Sequence, residues 1–208
     1  MRDFQAVISS PRAAYDEALR FFEGRGMLND ALGRLAADLD RKNIEYAVIG
    51  AIALNQHGFR RLTIDIDILL SAEGLERFRN ELVGLGYRPA FEGARKKFTI
   101  TRDNIPLEVI TAGEYPGDGL PKPVVFPLPS DVAVVIDGIK TVALEKLIEL
   151  KLASGISAPH RLKDLADVQE LIKIKKLDVS YADKLDASVR AKFVELAEAV
   201  AAAGDEQN

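Results

Sequence analysis

Ile64-Asp65-Ile66-Asp67-Ile68-Leu69-Leu70 is the segment that organises the rest of the chain. Apolar and acidic residues alternate at period two before the run becomes wholly apolar, which is the pattern of a β-strand with one face in a core and a buried far end. Such a strand sends Ile64, Ile66 and Ile68 into the core and aims Asp65 and Asp67 together from the opposite face. Side-by-side carboxylates repel, and a folded chain tolerates them best with a cation between them. Oxygen ligands of this kind suit Mg²⁺ or Mn²⁺ rather than zinc. Taken alone, Asp-x-Asp fits equally well an edge strand whose acids keep it in solution.

Working upstream, Ile44-Glu45-Tyr46-Ala47-Val48-Ile49 predicts a buried strand that stops at Gly50, and 51–57 a short helix ended by Gly58. Leu28, Leu32, Leu35 and Leu39 line one face of a helix ending near Lys42-Asn43, and Ser10-Pro11 opens an earlier helix running to Phe22. Downstream, Ser71 as N-cap, with Leu75, Phe78, Leu82 and Leu85, predicts a helix stopped by Gly86. Segments 97–101 and 106–110 flank a turn at Arg102-Asp103-Asn104-Ile105, and a second hairpin pivots on Asp137-Gly138.

Between the hairpins, 113–129 is a proline- and glycine-rich loop of functional length. Helices are expected at 143–153, with a break at Ser154-Gly155, then at 159–173 and 186–203, with the last few residues frayed. The expected fold class is α/β of the α+β type, a small mixed and largely antiparallel sheet with flanking helices and a C-terminal helical region. The chain divides into N-terminal helices (1–43), an α/β core (44–142) and C-terminal helices (143–208), which together can count as one compact domain.

Composition narrows the chemistry. A chain of 208 residues buries a sizeable core without staples, and with no cysteine it cannot use a thiolate nucleophile, an iron-sulfur cluster or a zinc ribbon. Met1-Arg2-Asp3 leads into no long apolar region, and the apolar runs are too short to span a bilayer, so a cytoplasmic protein with no membrane partner is expected. A net charge of −4 argues against a surface dedicated to bulk nucleic-acid binding, although 140–192 leans basic through Lys146, Lys151, Arg161, Lys163, Lys173, Lys175 and Lys176.

Two carboxylates leave a two-metal site incomplete. In-line displacement at phosphorus with ions about 3.5–4 Å apart wants a third acid to bridge them and to accept the attacking group's proton. Glu108, inside Pro106-Leu107-Glu108-Val109-Ile110, is the candidate, its bland alternative being an outward-facing hairpin residue. His57 before Gly58 reads as a helix-end residue rather than a base. Arg61, four residues before Asp65, is placed to neutralise a phosphate or to pair with the carboxylates.

The combined string Val48-Ile49-Gly50-Ala51-Ile52-Ala53, His57-Gly58 and Arg61-x-Thr63-x-Asp65-Ile66-Asp67-Ile68 resembles the signature of polymerase β-type nucleotidyltransferases, most of all the minimal branch of AbiEii/AbiGii toxin-like proteins. A second block, Leu147-Ile148-Glu149-Leu150-Lys151 followed by Arg161-x-Lys163-Asp164-Leu165-Ala166-Asp167, is similar to that family's later motifs. The resemblance covers roughly 44–173 and departs from the family in having Ala51 after Gly50 and Glu rather than Asp at 108. It implies a transferase that moves an NMP from an NTP to a hydroxyl acceptor. The metal, Mg²⁺ or Mn²⁺, would sit on Asp65, Asp67 and Glu108, and the nucleotide on Gly50, Ala51, Arg61, Thr63 and Lys151, with lesser support from Lys163 and Asp164. It implies further an RNA or protein acceptor and an antitoxin partner. The alternatives are a small antibiotic acceptor, or a catalytically silent nucleotide-binding module of the same fold.

Overall fold

The computed structural model describes residues 3–205; the ends expected to be leaderless at Met1-Arg2 and frayed at 206–208 lie outside the described residues. Three helices come first: α1 (Phe4–Ile8), α2 (Pro11–Phe22) and α3 (Met27–Arg41). Strand β1 (Ala47–Ile49) runs directly into α4 (Gly50–Gln56), and β2 (Ile66–Leu70) into α5 (Ala72–Glu81). Next come β3 (Tyr87–Pro89), β4 (Lys97–Ile100), β5 (Ile105–Thr111), the single turn α6 (Pro129–Val132), β6 (Ala133–Ile136) and β7 (Ile139–Val142). The chain ends in α7 (Leu144–Ser157), α8 (Leu162–Lys175) and α9 (Ala187–Asp205), joined by 3-10 turns at Pro159–Arg161 and Val179–Lys184.

The strands make one mixed sheet in the order β3-β4-β5-β2-β1-β7-β6. Strand β2 is central, antiparallel to β1 and parallel to β5. Its alternation sorts side chains between two cores. Ile66, Ile68 and Leu70 join Leu28, Leu32, Leu35, Leu39 and Phe78 of α3 and α5 on one face. Leu69 points the other way, into a core with Ile49, Leu147, Ile148 and Leu150 under the C-terminal helices. Asp67 shares that second face.

Several expectations shift at their edges. The sheet takes up β2 only at Ile66, so Ile64 is not a core residue; it is 54% exposed, above a groove lined by Phe4, Ile8 and Phe21. The strand expected from Ile44 starts at Ala47, α5 ends before Leu85, and β3 carries no period long enough to announce it. Ser71 caps α5 as expected, its Oγ accepting from the Gly74 N–H at 2.9 Å. Asp137 and Gly138 both take positive φ, 50° and 79°, the geometry of a tight hairpin turn between β6 and β7.

The break expected at Ser154-Gly155 does not occur, because α7 continues to Ser157. Gly155 is there for packing: a Cβ on it would meet Leu165 Cγ at 2.6 Å, where α8 crosses α7. Glu149, buried in α7, accepts from the Asp186 N–H at 2.8 Å and ties the approach to α9 to the same helix. Replacing Gly155 by Val is expected to force α7 and α8 apart and to lower stability by about 2 kcal/mol, the usual scale of overpacking. Urea denaturation followed by circular dichroism measures it, and an unchanged midpoint would refute the crossing as drawn.

Candidate active site

Strand register brings two of the three candidate acids together. Asp67 of β2 lies opposite Glu108 of the parallel neighbour β5, so both side chains leave the same face of the sheet. Strand β5 alternates strictly, with Ile105, Leu107 and Val109 buried and Pro106, Glu108 and Ile110 half-buried on the site face. Asp65 sits in the bend just before β2, where its carboxylate accepts the hydroxyl hydrogen of Thr63. All three acids line one cavity of about 270 Å³, roofed by Leu147, Leu150 and Lys151 of α7 and walled by Pro116, Gly117 and Phe126 of the long loop.

The price of crowding falls on Asp67. Burial first, then the charges of Asp65 and Glu108, push its carboxyl up to about 7, against a weaker opposing pull from Lys151 and Arg61. Its carboxylate forms no salt bridge among the described residues. Gly50 belongs to the same contact. It has φ +69°, and a Cβ there would lie 2.1 Å from Asp67 Oδ2, so the group that requires glycine is the carboxylate itself rather than an approaching phosphate.

Glu108 also has a second neighbour. Lys97 of β4, paired with it in register, is exposed and lies 3.5 Å from its carboxylate. Among the described residues no three acids are drawn close enough to share one ion as they stand. The donor set of Asp65 and Asp67 fits a hard divalent cation, because the uncompensated charge that raises Asp67 is what such an ion neutralises. Glu108 would complete the set only on turning from Lys97, a pair of the kind worth about 0–1 kcal/mol.

A second, polar cavity of about 430 Å³ adjoins the first and shares Gly50, Asp65, Asp67, Lys151, Arg161 and Asp164 with it. Ala51, Arg61, Thr63, His160 and Lys163 complete its lining. Lys151 is buried here, its ammonium bonded to Asp164 at 2.9 Å and Asp167 at 2.8 Å. Arg61 does not pair with Asp65 or Asp67; it pairs with Asp167 across the groove. Burial would raise the Asp164 carboxyl, but the Lys151 charge, the Ser154 hydroxyl and Arg161 outweigh it and hold that group below the usual carboxylate range. Lys163 lies exposed on the rim.

Sequence reasoning had given Asp167 and Arg161 no role and had read Ser154 as a helix break. The signal was present: Lys151 and Ser154, like Asp164 and Asp167, are three apart and share a helix face. His57 caps α4 and is buried, with Nε2 bonded to the Val142 carbonyl at 2.8 Å, and burial lowers its basicity. It lines neither cavity. The larger groove of about 550 Å³ between α8 and α9 touches none of the three acids.

The architecture is a nucleotidyltransferase fold. ANT(2")-Ia, solved in complex with adenylyl-2"-tobramycin, superposes with a TM-score of 0.50 at 18% identity, over 76% of this chain and 91% of that one. A solution structure of the antibiotic-resistance factor ANT(2'')-Ia gives 0.48 at 14% identity, over 86% and 95%. A nucleotidyltransferase-like protein from Paracoccidioides brasiliensis gives 0.45 at 16%, over 70% and 75%. No protein-family model matches the chain, and no curated protein matches it by sequence. No helix among the described residues is long and apolar enough to cross a membrane.

The raised Asp67 has a consequence for metal-free protein. A carboxyl at about 7 when folded and near 3.8 when unfolded binds the proton more tightly in the folded state. Its stabilising contribution is therefore complete below about pH 4 and is lost as pH rises through about 7. Asp67→Asn, which mimics the protonated form, is expected to flatten that slope and to leave the EDTA-treated protein more stable than wild type at pH 8, by about 2–4 kcal/mol. Thermal melts from pH 4 to 8 read the effect; parallel pH profiles for the two proteins would refute it.

Proposed function

We propose that the protein is a metal-dependent nucleotidyltransferase that moves an NMP from an NTP to a hydroxyl acceptor and releases pyrophosphate. The observation that carries this reading is the meeting of an acidic and a cationic wall at one point: Asp67 and Glu108 on the sheet with Asp65 in the bend beside them, and Lys151, Arg61 and Arg161 around the same two cavities. Acids alone would mark a cation site and cations alone an anion site. Adjacent, they fit a nucleotide held through both its metal and its phosphates.

Within this proposal Asp65 and Asp67 hold the Mg²⁺ or Mn²⁺, which when bound supplies charge neutralisation at the phosphates and acidifies an attacking hydroxyl. Lys151, Arg61 and the rim residue Lys163 bind triphosphate oxygens in the polar cavity, beside Gly50, Ala51 and Thr63. Glu108 stands on the other side of Asp67, in the smaller cavity, and takes the proton of the acceptor hydroxyl. The hydroxyl oxygen forms the new bond to the α-phosphorus as the bond to the bridging oxygen breaks, and pyrophosphate leaves toward the cationic wall.

A macromolecular acceptor, RNA or protein, with a toxin-like role and an antitoxin partner, is the form of this reading favoured by the basic lean of the stretch 140–192 and by the resemblance to the AbiEii/AbiGii branch. A small hydroxyl compound is the second form. The apolar lining of the Glu108 cavity by Ile110, Phe126 and Leu147 favours it, as does the small-molecule product bound to ANT(2")-Ia.

Incubation with each labelled NTP, Mg²⁺, and cellular RNA, protein and small-molecule fractions identifies the acceptor by which fraction retains label. With that acceptor, Asp67→Ala is expected to lower transfer at least ~10³-fold with the fold intact, and Glu108→Gln to lower it by roughly 10²–10⁴, the range for loss of a general base. Full activity in Asp67→Ala, with circular dichroism unchanged, would sink the assignment.

A further inference from the structure

Behind the polar cavity lies a carboxylate that lines neither pocket. Asp167 is 3% exposed, and its Oδ2 accepts both from Lys151 Nζ at 2.8 Å and from Arg61 Nη1. Those two cations come from distant parts of the chain, Arg61 from the loop before β2 and Lys151 from the middle of α7. Asp167 is the only salt-bridge partner of Arg61 among the described residues.

Counting donors shows what this grip leaves free. An ammonium has three N–H groups, and Lys151 spends two of them, on Asp164 and Asp167. Since Lys151 lines both cavities, the remaining N–H is its one donor for a ligand. The Arg61 guanidinium puts Nη1 on Asp167 and its Nε is buried without a partner, while Nη2 makes no hydrogen bond among the described residues and is the donor left for a ligand. Each cation is held by one donor set and keeps another in reserve, and the shared anchor fixes the two relative to each other.

We propose that Asp167 is a positioning residue for phosphate binding: by holding Arg61 and Lys151 on one oxygen, it presents their unused N–H groups as a rigid pair to a polyphosphate. The proposal rests on the transferase reading of the site and adds to it a residue that touches neither substrate nor metal. Its signature is a sign. Electrostatics alone says that removing a negative charge beside two cations tightens the binding of an anion. Loss of a positioning contact weakens it, because the freed cations no longer stand where the phosphates need them.

The test uses the full chain and inorganic tripolyphosphate with Mg²⁺, titrated calorimetrically, so that no acceptor or base preference enters. Asp167→Asn is expected to weaken tripolyphosphate at least ~10-fold. Arg61→Lys, which keeps the charge but loses the guanidinium fork, is expected to weaken it comparably, and the double variant to be within ~2-fold of either single one. Unchanged or tighter binding in Asp167→Asn overturns the proposal, as do fully additive effects. If Asp167→Asn does not fold, Arg61→Lys decides: unchanged binding there overturns the positioning role. Wild-type protein that binds neither tripolyphosphate nor any NTP overturns the transferase reading itself, which keeps the two failures apart.

Discussion

Like charges crowded on one face of a central strand are the constraint around which this molecule is arranged. Strand β2 is bonded on both sides, so Asp67 leaves from the middle of the sheet, where it is half-buried, and its register partner on β5 is another acid. The helices above that face have to bury Leu69 and Ile49 while leaving Asp67 room, and they do so by closing over the apolar residues and stopping at a cavity. Gly50 gives way at the same point, with a backbone conformation and an absent side chain that make space for the carboxylate.

The cationic wall answers the acidic one without neutralising it. Lys151 and Arg61 lie near enough to oppose the rise at Asp67, yet their close partners are Asp164 and Asp167, not the sheet acids. Two sets of charge therefore face each other with their strongest bonds kept within each set. A buried cation left without a partner is strongly destabilising, so the acids of α8 are what allow Lys151 to sit in the interior at all. In the proposed reading, the gap between the sets is where a ligand carrying both signs, a metal and its phosphates, would meet both.

Much of this was legible in the residues. The alternation of 64–70 gave the central strand and its two faces, and Asp137-Gly138 gave a hairpin whose turn chemistry is local. Boundaries were harder where tertiary contact overrode a local signal. Ser154-Gly155 looks like a helix break, yet the glycine is there so that α8 can cross and the serine to bond Asp164. Ile64 continues the alternation but lies beyond the sheet, a difference that only strand pairing defines. Glu108 was found because an acid in an apolar run is anomalous. Asp167 stands in the later motif but carries no role in the sequence, because its partners, 16 and 106 positions away, are brought to it only by the fold.

The plainest competing account of Asp65 and Asp67, acids that keep an exposed edge in solution, meets the sheet order directly. The edges are β3 and β6, while β2 is in the middle with Ile66, Ile68, Leu69 and Leu70 fully buried. A solubilising role has nothing to act on there. A purely structural ion pair would explain a buried acid, and it does explain Asp164 and Asp167, but Asp67 has no such partner among the described residues and its proton affinity is raised rather than lowered. An acid kept in a central strand, beside a second acid and against a glycine that yields to it, is destabilising for the chain on its own. It makes physical sense if a divalent cation were to supply the missing charge, and two adjoining cavities reach that carboxylate.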